Sequence, residues 1–272
     1  HLLSRRQRQM CIRDSHISGI YSDAILLYFV LQTRVHLNKI RTPAISRQTQ
    51  DVITKLKRMD LTNKLYKVFL IAGSEPLGTA GMQADIKSIS ACGGYAAGAI
   101  TCIVDEDTIK VKSIQTIPVE MVVSQTYSFL EDVGADCIKT GMLYSQELVT
   151  AIGNVVKKQS IPIVVDPVMV SSAGDKLLQD DAIQAYKDCL FPYSTIITPN
   201  RREADLLLGK SLTKDNMKEY IPELSKWGNC VIVKSIEDGD YLIDVFYNPI
   251  SKCFKLYLSL IHISEPTRPL YI

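Results

Sequence analysis

From residue 64 to residue 257, short continuous apolar runs alternate with stretches whose apolar positions recur every three or four residues. The continuous runs predict strands at residues 68–72, 96–104, 136–139, 161–165, 194–198 and 230–234. The periodic stretches predict helices at residues 82–92, 119–133, 145–157, 180–189, 201–208 and 215–227; in the first, Met82, Ile86 and Ile89 share a face. Residues 241–247 and 251–257 alternate as the arms of a hairpin would. Strands that read as unbroken Val/Ile runs are buried on both sides. With helices between them, they predict an α/β fold built on a mostly parallel sheet with helices on both faces. Ligands in such sheets sit at the carboxyl ends of the strands, so the residues there come under scrutiny.

Composition narrows the partners. The chain of 272 residues has 31 basic and 29 acidic side chains, a net charge of +2 that gives no reason to expect nucleic acid. The charge is unevenly spread. Residues 1–58 hold 11 Lys/Arg against 3 Asp/Glu, whereas residues 59–258 hold 19 against 25. The longest apolar run near the start, residues 24–31, is far short of the ~20 residues that a membrane span needs. Arg5, Arg6 and Arg8 precede it, but no small-residue cleavage site follows. Seven scattered cysteines with no C-x-x-C pair read as buried thiols of a reducing compartment, and the cytoplasm is expected.

The two ends have a different character. Residues 5–15 and 258–270 fit no helix or strand period and resemble peptides translated from adapter DNA at the edges of an assembled read. Residues 1–58 are therefore expected to be a non-native or untranslated extension, 59–257 the working domain and 258–272 a foreign tail. The other reading makes residues 16–58 a genuine helical extension. All four histidines lie in residues 1–58 or 259–272, so the expected domain has no histidine triad, metal site or general base.

Several strand ends carry chemistry. The first runs into Gly73-Ser74-Glu75-Pro76-Leu77-Gly78-Thr79-Ala80-Gly81, which is neither a Walker loop nor a dinucleotide fingerprint. It reads equally as a tight connection and as a ligand wall. Asp85, in the following helix, reads by itself as a solvated charge. Asp166 tops a buried strand, where a carboxylate serves either as a turn residue or as a holder of hydrated magnesium. Asn200 followed by Glu203 is a capping box, and the same oxygens would suit magnesium with nucleotide phosphates. Asp105, Glu106 and Asp107 crowd three carboxylates at another strand end, which solvation, a metal or protonation would have to relieve.

Taken in order, AGSEPLGTAGMQAD, DCIKTGML, VVDPVMVSSAGDKLL and IITPNRREADLLLG resemble the hydroxymethylpyrimidine/phosphomethylpyrimidine kinase family, across residues 68–246. The resemblance implies a ribokinase-like fold and ATP-dependent phosphorylation of 4-amino-5-hydroxymethyl-2-methylpyrimidine and then of its monophosphate, toward thiamine diphosphate. It implies ATP and Mg2+ as cofactors, a small-molecule pyrimidine as substrate, no nucleic acid or membrane partner, and a homodimer. By motif position it implies that Gly73, Asp85, Glu106 and Met142 line the pyrimidine pocket. Asp166 and Glu203 would organise the metal, and Lys176, Asn200 and Lys234 would meet ATP. Pyridoxal kinase, which shares the scaffold, is the rival; a non-catalytic pyrimidine-binding module is the reading from another class.

Three departures from the family pattern stand out. The family usually has glutamine where this chain has Glu106, and a carboxylate cannot donate as an amide does. Glu106 would then accept from the exocyclic amine and share a proton with the ring nitrogen. Ser235-Ile236 replaces the glycine pair after Lys234. The chain as written does not reach the Gly-Thr-Gly-Cys-Thr motif, whose helix-start amides form the family's anion hole and which carries the base position. The expectation is a C-terminally truncated kinase with little or no turnover and no assignable catalytic base.

Overall fold

The computed structural model describes residues 65–107, 109–169, 182–239 and 241–260. Its strands are β1 (Lys67–Ser74), β2 (Tyr95–Glu106), β3 (Val111–Thr116), β4 (Cys137–Thr140), β5 (Ile163–Val165), β6 (Ile196–Ile197), β7 (Cys230–Asp238), β8 (Tyr241–Asn248) and β9 (Cys253–Leu260). They form one nine-stranded sheet in the order β3-β2-β1-β4-β5-β6-β7-β8-β9. From β2 to β7 every pairing is parallel, as the Val/Ile runs predict. Antiparallel strands flank this centre, β3 on one side and the β8–β9 pair on the other.

The helices are α1 (Gly81–Ala91), α2 (Val119–Asp132), α3 (Gln146–Val156), α4 (Ala182–Ala185), α5 (Arg201–Leu208) and α6 (Met217–Tyr220). Side-chain alternation sorts them onto two faces. Phe69, Ile71, Ile138, Ile163, Val165, Ile197, Val231 and Val233 point toward α2 to α6. Val68, Leu70, Ala72, Cys137, Val164, Ile196 and Ile232 point the other way, where Met82 and Ile89 of α1 meet them. The α3 helix shows how the pattern works. Leu148, Val149, Ile152, Val155 and Val156 follow three-and-four spacing and are buried. The Ser145 side chain caps the helix by accepting the Leu148 amide at 3.2 Å. Each large apolar side chain buried this way contributes about 1.5–3 kcal/mol.

Three elements differ from the sequence expectation. Strand β3 was unforeseen; it returns alongside the outer half of β2, and its half-exposed VKSIQT shows no continuous apolar run. The helix expected to end at residue 189 opens into a π-helical turn at Tyr186–Leu190 and a 3₁₀ turn at Phe191–Tyr193. The helix expected over 215–227 is one turn of α6 followed by a 3₁₀ segment at Ile221–Ser225, because Pro222 lacks the amide an α-helix would use. Strand β9 runs to Leu260, three residues into the segment expected to be foreign. Residues 1–58 and 261–272, with all four histidines, lie outside the described residues.

The path of the chain locates a crevice. From β1 it moves to β2 on one side, and then returns to β4 on the other side of β1. A reversal of this kind marks the carboxyl ends of β1 and β4 as the place where open parallel sheets bind ligands. Among the described residues, no helix is long and apolar enough to cross a membrane.

Candidate active site

Two groups of residues meet at these carboxyl ends. The first surrounds those of β1 and β4. Gly73, at the end of β1, is buried, and a β-carbon there would lie 3.0 Å from Cys102 Sγ and 3.6 Å from Met142 Sδ. Gly73 and Met142 therefore do share a wall, with Cys102 as a third member that sequence reasoning missed. Cys102, Val104 and Met142 form a small buried cluster against which Val168 packs. Burial pushes the Cys102 thiol up, so it is a neutral, soft surface rather than a thiolate. Glu106 stands at the end of β2, half-buried, continuing the alternation of buried Cys102 and Val104.

The crowd of three carboxylates resolves by position. Asp107 accepts the amides of Ile109 and Lys110 at 2.8 and 3.1 Å, which hold its carboxyl below the usual range. Lys112 lies 3.3 Å from Asp107 and 4.0 Å from Asp105, all well exposed. Asp105 and Asp107 are thus turn and surface charges. Glu106 is the half-buried member.

Asp85 is not the solvated charge that its position by itself suggests. It is largely buried in α1 and forms an ion pair with Lys139, itself only 6% exposed in the middle of the sheet. Lys139 was missed because a lysine inside a short strand has no motif of its own; only the apolar residues around it hint that it needs an anion. The pair sits beneath the glycine-rich turn on the α1 side of the sheet.

The second group gathers at the ends of β5, β6 and β7. Asp166 follows β5, and its amide donates to Thr140 O of β4 at 2.9 Å, so the two groups adjoin through neighbouring strand ends. Lys234 Nζ lies 3.1 Å from Asp166 Oδ1. Asn200 caps α5 and bridges to Lys234 through the backbone. The capping box forms in full: Asn200 Oδ1 accepts the Glu203 amide at 2.9 Å and Glu203 Oε2 accepts the Asn200 amide at 2.8 Å. Glu203 Oε1 also accepts the Met169 amide, at 3.1 Å. Strand β7 shifts register beside Lys234, with Ser235 in the left-handed region at φ 60°, and Asp244 Oδ1 accepts the Ser235 amide at 2.8 Å. The Ser235-Ile236 departure is thus accommodated by a bulge.

Electrostatics sharpen this group. Glu203 is 2% exposed, and burial followed by repulsion from Asp166 pushes its carboxyl up to about 8, against the pull of Lys234. The nearby Tyr186 phenol is raised for the same reasons. A buried acid held protonated by a like charge would ionise if a cation arrived. Among the described residues there is no group of three or more His, Cys, Asp or Glu side chains placed to hold a metal ion. Lys176 lies outside the described residues.

A mostly parallel sheet whose strand order reverses beside an Asp–Glu–Lys cluster places the chain among α/β domains that bind ligands at their strand ends. The family model for phosphomethylpyrimidine kinase matches residues 75–262, and the chain belongs to that family. A rice protein described as a probable thiamine biosynthetic bifunctional enzyme, chloroplastic, is 38% identical over 188 residues, 66% of this chain; the chain spans 34% of that relative's length. The crystal structure of phosphomethylpyrimidine kinase from Clostridium difficile 630 superposes with a TM-score of 0.64 at 31% identity, covering 71% of this chain and 84% of the other. The Staphylococcus aureus pyridoxal kinase solved with AMP-PCP and pyridoxal gives 0.64 at 31% identity, covering 73% and 72%. These likenesses agree with the expected ribokinase-like scaffold.

Proposed function

We propose that this chain binds 4-amino-5-hydroxymethyl-2-methylpyrimidine between β1 and β4 and belongs to a kinase that presents its hydroxymethyl group to the γ-phosphate of ATP, phosphorylating it and then its monophosphate toward thiamine diphosphate. The observation that carries this reading is the adjacency of the Gly73–Cys102–Met142 wall to the Asp166–Glu203–Lys234 cluster, within a chain matched by the family across residues 75–262. Gly73 lets Cys102 and Met142 close against the end of β1, where a β-carbon would meet the Cys102 sulfur at 3.0 Å, and Met142 offers a polarizable face to the ring. Lys234 supplies a positive charge for nucleotide phosphate, with Asn200 beside it, while Glu106 reads the polar edge of the ring.

Asp166 and Glu203 would hold Mg2+ through water, an ion that neutralises the charge of the transferring phosphoryl group. The rest of the task for these residues is positioning. The six cysteines among the described residues are all free thiols, which supports placing the protein in the cytoplasm, and a homodimer belongs to the same reading.

Pyridoxal is the second reading, favoured by the equal TM-scores of the two kinase structures. Calorimetry separates them. The chain, given AMP-PCP and magnesium, should bind the hydroxymethylpyrimidine more tightly than pyridoxal, and Asp166→Asn should weaken nucleotide binding about tenfold or more. Tighter pyridoxal binding would install the rival, and no binding of either would end both readings. Binding with no phosphorylation by a version of this chain that carries the family's Gly-Thr-Gly-Cys-Thr segment would favour a non-catalytic module.

A further inference from the structure

The glycine-rich turn between β1 and α1 contains a buried carboxylate that no step above uses. Glu75 is 6% exposed. Its Oε2 accepts the amides of Leu77 and Gly78, the latter at 2.9 Å. Its Oε1 accepts the amides of Thr79 and Ala80, the latter at 2.8 Å, with the Thr79 hydroxyl 3.4 Å away. Four consecutive main-chain donors thus close around one side chain, immediately ahead of the first residue of α1. An array of this kind at a helix start ordinarily receives a phosphate or other external anion. Here the chain fills it with its own carboxylate.

The turn is also clamped to what lies on either side. Gly81 opens α1 at φ 59°, and a β-carbon there would be 2.4 Å from Gly73 O, so the start of the helix rests directly on the end of β1. Gln83 Nε2 donates to Ser74 Oγ at 2.6 Å, and Lys87 Nζ donates to Gly78 O at 2.9 Å. Whatever sets the path of residues 75–80 therefore sets both the Gly73 wall and the placement of Asp85 over Lys139.

We infer that Glu75 is a built-in anion that fills the amide nest of the glycine-rich turn and thereby positions the Gly73 wall of the pyrimidine pocket. The inference rests on the proposed kinase reading for the identity of the ligand. It also deepens that reading: with its amides spent on Glu75, the turn has no donors left for an external anion, and phosphates are left to the Lys234–Asn200 end of the crevice. Glu75 acts through the turn, as a positioning residue, and does not touch the reacting atoms.

The test compares E75A and E75Q with the unaltered chain, using calorimetry with hydroxymethylpyrimidine and separately with AMP-PCP and magnesium, and thermal midpoints in sodium acetate against sodium chloride. Acetate carries the atoms that E75A removes. E75Q keeps the shape but turns an NH2 toward amide donors. Both variants should bind the pyrimidine about tenfold or more weakly, with nucleotide affinity changed less than about twofold. Acetate should raise the midpoint of E75A and restore its pyrimidine affinity, and should do neither for the unaltered chain. The inference is overturned if E75A binds pyrimidine as the unaltered chain does, if both ligands are lost equally, or if acetate has no more effect on E75A than on the unaltered chain. Should the unaltered chain bind no pyrimidine, the kinase reading fails, and the acetate response of E75A alone decides the nest. If E75A does not fold in chloride, its recovery in acetate, or failure to recover, decides it, and E75Q supplies the binding comparison.

Discussion

Lys139 and Asp85 are the residues whose removal should be felt most directly, because both are taken out of water: their side chains are 8% and 13% exposed. Two charges buried this way stabilise each other, and the pair as a whole gains little over a well-packed apolar replacement. Taking away one partner is another matter, since the other stays buried without it. Lys139→Met should cost about 3–5 kcal/mol in urea unfolding, and the double variant Lys139→Met/Asp85→Leu should recover most of that loss. A double variant no more stable than the single one would show that the pair is held by its surroundings rather than by itself. The pairing also gives Asp85 a structural role. A carboxylate committed to a buried lysine orients α1 beneath the turn, and under the proposed kinase reading its influence on the pyrimidine would pass through that orientation as well as through any contact.

At the level of elements, the fold was legible wherever an apolar run had one dominant environment. Helix α5 was placed from Asn200, Glu203 and the apolar spacing alone, and the structure returns the same bounds, Arg201–Leu208, with the capping box complete. The capping reading and the functional one proved compatible, since Glu203 caps the helix and faces Asp166 at once. Strand β3 was illegible because its stability comes from pairing with β2, a long-range contact that leaves no period in VKSIQT. Glu75 and Lys139 escaped notice for a related reason: each matters through a partner brought close by folding, and neither spacing nor residue type announces that partner.

The same limit gives a prediction for α3. Gly153 sits mid-helix, where alanine would ordinarily stabilise by about 0.5–1 kcal/mol. A β-carbon there would lie 2.4 Å from Cys189 O in the π-helical turn, so backbone would have to move. Overpacking of this kind costs about 1–3 kcal/mol and should prevail. Gly153→Ala should therefore lower the denaturation midpoint; a rise would mean that the two elements separate easily.

For the molecule as a whole, Glu203 makes stability depend on pH in a direction opposite to that of most carboxylates. Its pKa in the unfolded chain is near the ordinary 4.5, and in the folded chain burial and Asp166 raise it to about 8. Between those values the folded state holds a proton that the unfolded state releases, so unfolding gains as pH rises. The contribution is fully present below the unfolded value and is lost as pH climbs through the folded one. A single such group gives a slope of at most about 1.4 kcal/mol per pH unit. Urea unfolding of the metal-free chain, in chelator, should thus show stability declining from mildly acid to mildly alkaline conditions. Glu203→Gln, which keeps a neutral acceptor in the capping box, should flatten that decline. Asp166→Asn should shift it to lower pH, because the repulsion that helps raise Glu203 is gone. If Glu203→Gln left the slope unchanged, the proton would belong to another group, and the case for Asp166 and Glu203 as a charge-hungry pair at the crevice would lose its electrostatic support.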